Sequence, residues 1–279
     1  MPVTFGLHYV AEIVMIGTLV TLNLRWIIRD RIFQAIMAVA LVMLLLVPSF
    51  SLFSMRQVQE LAVTLALSSI SFILLALSIL LGASSIWRDV EKRYTTAVIS
   101  LPASRSAFIW GKFLAVALFL VVCALLLGAV SAVGIKISSG IYPSAVPIQW
   151  GKIVLALAAI MLKYILLAAI AIFFSSLSTS FFLPFFASLA IYLTGSASQD
   201  VFEYISGDVG SRMAPFARIL ITGVYYVIPN FSAFNFTVQA VYPLPVPASD
   251  IGYTLAYFIT YTGLALAGGN WFFSRRELS

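Results

Sequence analysis

Unbroken apolar runs, each about as long as the ~20 residues a bilayer-crossing helix needs, recur along this 279-residue chain and constrain it more than any other feature. Such a chain has lipid as its solvent for most of its length. In a bilayer core every backbone amide must bond within the protein, so only helices or a closed barrel can cross. Barrel strands alternate apolar and polar residues, whereas these runs are continuously apolar, so helices are predicted. Composition agrees: 62% of residues are hydrophobic and 9% charged, where soluble domains run at about half and about a quarter. The net charge of +6 would point to nucleic acid in a soluble protein. Here the basic residues gather at the ends of apolar runs, which is a topological signal, and no nucleic-acid partner is expected. Cys123, the one cysteine, lies inside an apolar run and permits neither an internal disulfide nor a thiolate metal cluster. The opening residues lack the basic, apolar and cleavage-site pattern of a removable signal, so Met1 onward is read as mature.

Six runs are long enough to cross, at about 32–52, 60–86, 107–135, 153–174, 181–198 and 251–273. The predicted fold is therefore an all-α integral membrane domain over 1–279. Pro48 and Pro184 fall near run ends, away from the helix middle where proline costs most. The first region, 8–31, precedes these runs and ends with Arg25 and Arg29 four residues apart on one helix face, beside Trp26. A basic helix with aromatic neighbours suits the headgroup layer, so 8–31 reads as an interfacial elbow helix. The alternative is an early span over 9–24, interrupted only by Glu12 and Asn23. With the N-terminus inside, ten of the sixteen Lys and Arg residues lie on cytoplasmic flanks, five lie opposite, and Lys163 lies within a span. Both ends are thus expected in the cytoplasm, the membrane being a bacterial inner membrane.

Two connections stand out. The outer one, 199–250, is too apolar for an ordinary loop. Ile219–Ile228 within it is a short, mostly apolar stretch before Pro229, which reads as a re-entrant or interfacial helix before the last span. The cytoplasmic one, 87–106, holds the densest charge of the chain. As a helix, 88–100 sets Val90, Tyr94, Ala97 and Val98 along one stripe, with Asp89, Lys92 and Arg93 mostly opposite. Pro102 ends it, because the residue before a proline is pushed out of helical geometry. A short amphipathic helix of this kind suits docking in another protein's groove. The plainer alternative is a charged connection that only fixes topology.

This segment resembles the first cytoplasmic loop of ABC-2-type permeases, the membrane subunits of one class of ATP-binding-cassette exporters. Arg88, Asp89, Glu91, Ser100, Pro102, Ser104, Arg105, Gly111 and Lys112 fall in that loop's order at similar spacing. Arg93-Tyr94 departs from the Gly-Thr common there. The likeness extends to the basic elbow helix, the six spans and the half-buried outer loop with Pro229-Asn230-Phe231. In layout it is nearest the branch that includes permeases for maturation of nitrous-oxide reductase and similar multicopper enzymes. The resemblance implies two paired permease copies, or a copy and a close homologue, above two separate ATPase subunits. In it Arg88, Asp89, Glu91, Tyr94, Val98, Pro102 and Arg105 would couple to the ATPase, and Arg25, Trp26 and Arg29 would mark the elbow helix. ATP and magnesium would be bound in the partner.

No nucleotide or catalytic site is expected in this chain. Gly111-Lys112 is its nearest approach to a phosphate-binding loop, but Ser106 stands where the first glycine belongs and Phe113 where the hydroxyl residue belongs. His8 is the only histidine, and in Gly195-Ser196-Ala197-Ser198 an alanine holds the place of an intramembrane protease's nucleophile. No clustered metal ligands lie within the spans. Ile99-Ser100-Leu101-Pro102 echoes only the end of the loop signature of cassette importers. An ion-driven secondary transporter fits poorly without an internal repeat, and a non-enzymatic membrane assembly factor is the other alternative. Lys163, costly at that depth, either faces a pathway or interface or snorkels to a polar neighbour.

Overall fold

The computed structural model describes residues 17–54, 57–91, 105–141, 147–207, 215–242 and 244–275, all in helices and their connections, with no strand among them. The first helix among the described residues, α1, covers 17–29 of them and breaks at Asp30. There the backbone is extended, and the Asp30 carboxylate accepts from the Ile32 N–H at 3.0 Å. That N-cap satisfies one of the orphan donors of the next helix and sets the break. Beyond the break the chain forms α2 (Arg31–Ser51), α3 (Val58–Glu91), α4 (Arg105–Ile141), α5 (Trp150–Leu177) and α6 (Phe182–Ser206). Then come α7 (Pro215–Val227), a 3-10 turn at Phe231–Phe234, the short α8 (Thr237–Val241) and α9 (Ala248–Arg275).

Four of these helices, α2 to α5, are long and apolar enough to cross a bilayer. A fifth candidate is the pair Arg218–Val227 and Phe231–Val241, bent by 44° as a broken span or a re-entrant loop would be. The bend sits at Pro229-Asn230, where proline offers no N–H and the Asn230 side chain instead accepts from Ser232 N–H at 2.9 Å. With 25 and 28 residues, α6 and α9 reach about 38 and 42 Å at ~1.5 Å per residue. Length is ample in both, but polar residues interrupt them: Gln199, Asp200 and Glu203 in α6, and Thr, Tyr and Asn side chains along α9. The protein is thus an all-helical membrane protein, with four to five helices that qualify by length and apolarity together.

At the centre lie α3 and α5, the most extensively packed pair. On α5, Tyr164 through Ile172 are buried without a break, the mark of a helix enclosed by others. Small residues let the two backbones approach, which is what drives helix association where lipid removes the hydrophobic incentive. At Gly82 a Cβ would sit 2.5 Å from Ala171 Cβ and 3.0 Å from the Ala168 carbonyl oxygen. The Ser175 hydroxyl adds a cross-helix bond to the Ala83 carbonyl at 2.9 Å. Peripheral α2 buries only Phe33, Ala40, Leu44, Val47 and Ser51, one stripe at helical spacing. Its opposite face is exposed and apolar, at Val42, Leu45 and Phe50 among others.

Several boundaries differ from the sequence expectation, for one reason. Hydropathy ends where side chains turn polar, but helical hydrogen bonds continue regardless. The segment at 87–91 is the last part of α3, not the start of a separate loop, and Arg105 already opens α4. Likewise 199–206, expected in the outer loop, extends α6, where Gln199 donates to Glu203 one turn on at 2.7 Å. Helices α3 and α4, of 34 and 37 residues, exceed the ~30 Å hydrocarbon layer by roughly 20 Å or more. Their ends therefore stand in the headgroup layer or beyond.

Candidate functional site

The residues expected to matter fall into two groups, one at the base of α1, α3 and α4 and one at mid-span. At the base, Arg88 Nη1 pairs with Asp30 Oδ2 at 2.7 Å. Neither partner is fully immersed in water, their side chains being 23% and 15% exposed. The guanidinium also lies 5.3 Å from the Trp26 ring centroid and 5.8 Å from that of Phe33, within cation–π range. One arginine thus joins the last turn of α3 to both sides of the α1–α2 break. Asp30 serves two purposes there, since its other oxygen caps α2. A second link lies alongside: Lys112 Nζ donates to Asn23 Oδ1 at 2.7 Å and sits 5.6 Å from the Phe108 ring. A Cβ on Gly111 would meet Leu19 at 3.1 Å, so α1 packs closely on α4.

Of the residues singled out from sequence, Trp26 and Arg88 come together here. Arg25 and Arg29 are exposed on α1. Asp89 and Glu91 complete the last turn of α3 and Arg105 begins α4. Tyr94, Val98 and Pro102 lie outside the described residues. Sequence reasoning missed Asp30, Phe33 and Asn23 as members of this cluster. Asp30 carried a legible signal, an N-capping residue directly before an apolar run. Asn23 and Phe33 carried none, because their partners lie 89 residues away for Asn23 and on the distant α3 for Phe33.

At mid-span Lys163 lies 5.1 Å from the Tyr192 ring and 5.6 Å from its neighbour Tyr164. The two hydroxyls stand 3.3 Å apart, and Tyr164 OH is 2.6 Å from Ser71 Oγ. Side chains of α3, α5 and α6 thereby form a polar string inside an apolar bundle. A ring face is a fitting neighbour for an ammonium at this depth, since it offers negative potential without needing water. Lys163 is half-buried.

Beyond this string, Gln199 Oε1 accepts from Tyr225 OH at 3.1 Å and from Asn230 Nδ2 at 2.8 Å, while Asn230 N–H donates to Tyr257 OH at 2.6 Å. The bend of the α7–α8 segment is thus tied to α6 and α9. Gly195 allows this approach: a Cβ there would collide with the Pro229 carbonyl oxygen and the Phe231 ring. Among the described residues no cluster of His, Cys, Asp or Glu could hold a metal ion. No known protein-family pattern matches the chain, and no curated protein matches it.

Proposed function

We propose that this chain is the membrane-spanning permease subunit of an ATP-binding-cassette exporter, forming the translocation pathway and driven by two separate ATPase subunits. It crosses six times, through α2, α3, α4, α5, α6 and α9, with the bent α7–α8 segment re-entrant on the outer side. An even number of crossings keeps both ends in the cytoplasm, as the distribution of Lys and Arg favours. Two copies, or one copy and a close homologue, pair in a bacterial inner membrane.

The observation that carries the proposal is the Arg88–Asp30 pair. Arg88 opens the charged segment whose residue order resembles the ATPase-docking loop of ABC-2-type permeases. Its bond to the α1–α2 junction ties the end of α3, from which that segment leaves, to the elbow helix and the first crossing. A push that reaches the end of α3 would then be shared with α1 and α2. No phosphate-binding loop is expected from the sequence, so this reading takes the energy source to be the partner. The Lys163–Tyr192 contact favours a second reading, an ion-driven secondary transporter, whose mark would be transport that follows an ion gradient and ignores ATP.

Affinity capture of the full chain from its native membranes tests the proposal. An ATP-hydrolysing subunit should accompany it in a one-to-one ratio, and Glu91→Arg should weaken that association. Capture of the intact chain with no ATPase under several mild detergents would defeat the proposal.

A further inference from the structure

A cavity of about 220 Å³ lies beneath the elbow helix, between α1, α3 and α4. We propose that it binds one anionic membrane phosphoglyceride, an acyl chain lying along its apolar walls and the phosphate meeting Arg88 and Lys112. The site needs only that the chain sits in a bilayer and does not depend on the transport reading.

The walls and the rim differ in chemistry. Leu22 and Ile27 of α1, Leu81 of α3 and Val116 of α4 make apolar surface, while Arg88 and Lys112 supply charge. No carboxylate is among the residues lining it. A dry apolar cavity of about 150 Å³ already takes up benzene, so this one has room for a stretch of hydrocarbon chain. Asp30 engages Arg88 through Nη1, and a guanidinium presents five N–H donors in a fixed fork, so others remain to meet phosphate oxygens. Position points the same way. The cavity sits where the α1–α2 break meets the end of α3 and the start of α4, with Arg25, Arg29 and Arg31 close by in sequence. That places the cavity near the ends of two membrane-crossing helices, where basic residues attract anionic lipid. A free phosphate would leave the apolar walls without a partner, and a zwitterionic lipid would bring no net charge to a site where, among the described residues, two cations face the one carboxylate of Asp30.

Trp26 lines the cavity and reports on it. The full chain is reconstituted in phosphatidylcholine vesicles with a trace of brominated-chain phosphatidylglycerol or brominated-chain phosphatidylcholine. Quenching of Trp26 is read as the difference from Trp26→Phe. The anionic lipid should quench at about fivefold lower mole fraction than the zwitterionic one, as roughly 1 kcal/mol implies for the one net positive charge of Arg88, Lys112 and Asp30 together near a bilayer surface. Ala115→Phe, which fills the cavity, should remove that preference. Leu22→Glu, at a wall residue that is 57% exposed, should weaken it. Equal quenching by the two lipids would overturn the proposal, as would a preference undiminished in both variants, which would reflect surface attraction alone. Relief of quenching by inorganic phosphate would mark an anion site without a lipid and would overturn it too.

Discussion

Replacing Asp30 by asparagine separates the two jobs that residue performs. The amide oxygen of asparagine still accepts from Ile32 N–H and keeps the cap on α2, while the charge opposite Arg88 is lost. At about 4 Å between charge centres the gross attraction is about 4 kcal/mol at an effective dielectric near 20. Desolvation of both groups cancels much of it. Exposed pairs retain about 0.2–1 kcal/mol, and hydrogen bonds to charged groups about 1.5–3 kcal/mol. A pair 23% and 15% exposed at 2.7 Å falls between these, so Asp30→Asn should cost about 1–2 kcal/mol. Asp30→Ala, which also removes the cap, should cost about 1 kcal/mol more. Arg88→Met keeps the apolar stem but loses both the pair and the ring contacts, so it should cost slightly more than Asp30→Asn. Unfolding of the purified chain in mixed micelles by increasing sodium dodecyl sulfate, followed by far-ultraviolet circular dichroism, measures each variant. The double variant Asp30→Asn/Arg88→Met should show a coupling of about 1–2 kcal/mol. Additivity to within about 0.3 kcal/mol would mean the pair contributes nothing, and the tie between α3 and the elbow helix argued from it would fail.

Two further outcomes are expected in the same assay. Gly195→Ala should destabilise the chain by about 1–3 kcal/mol, because the new Cβ meets a backbone carbonyl oxygen that cannot rotate away; a neutral result would mean the α7–α8 bend is not held against α6. Lys163→Met should leave stability unchanged or raise it by about 1 kcal/mol or more, since the cost of an ammonium in the span, a few kcal/mol, exceeds its ring contacts of about 1–2 kcal/mol. A large loss of stability there would show that Lys163 has a structural partner stronger than the tyrosine rings.

The long apolar helices were legible because lipid demands one simple pattern, and α2 to α5 match it closely. The end of α7 was legible too, since Pro229 must interrupt a helix and the stretch before it is too short to cross, whereas the turn onward into α8 carried no local signal. Helix ends were not. Glu91 and Ser206 are helical although nothing apolar marks them, because backbone bonds persist into the headgroup layer. The site was half visible. Arg88 and Trp26 stood out as a charged and an aromatic residue beside apolar runs, but their meeting depends on where α1 turns. That turn is set by one capping aspartate between Arg29 and Arg31, whose residue type marks a helix start but not the direction in which α1 leaves it. Tyr192 as neighbour of Lys163 was out of reach altogether, since adjacency between α5 and α6 is a property of packing, not of local spacing.

Site-directed cross-linking from the charged segment asks whether an ATPase docks there. With Cys123 replaced by alanine, Val98→Cys would carry the only thiol, and a photoactivated maleimide attached there would be triggered in native membranes. A cross-link to a nucleotide-hydrolysing subunit is expected, with a yield that changes when ATP is trapped by vanadate. A thiol that reacts freely with water-soluble reagents and captures no such subunit under either condition would contradict the account.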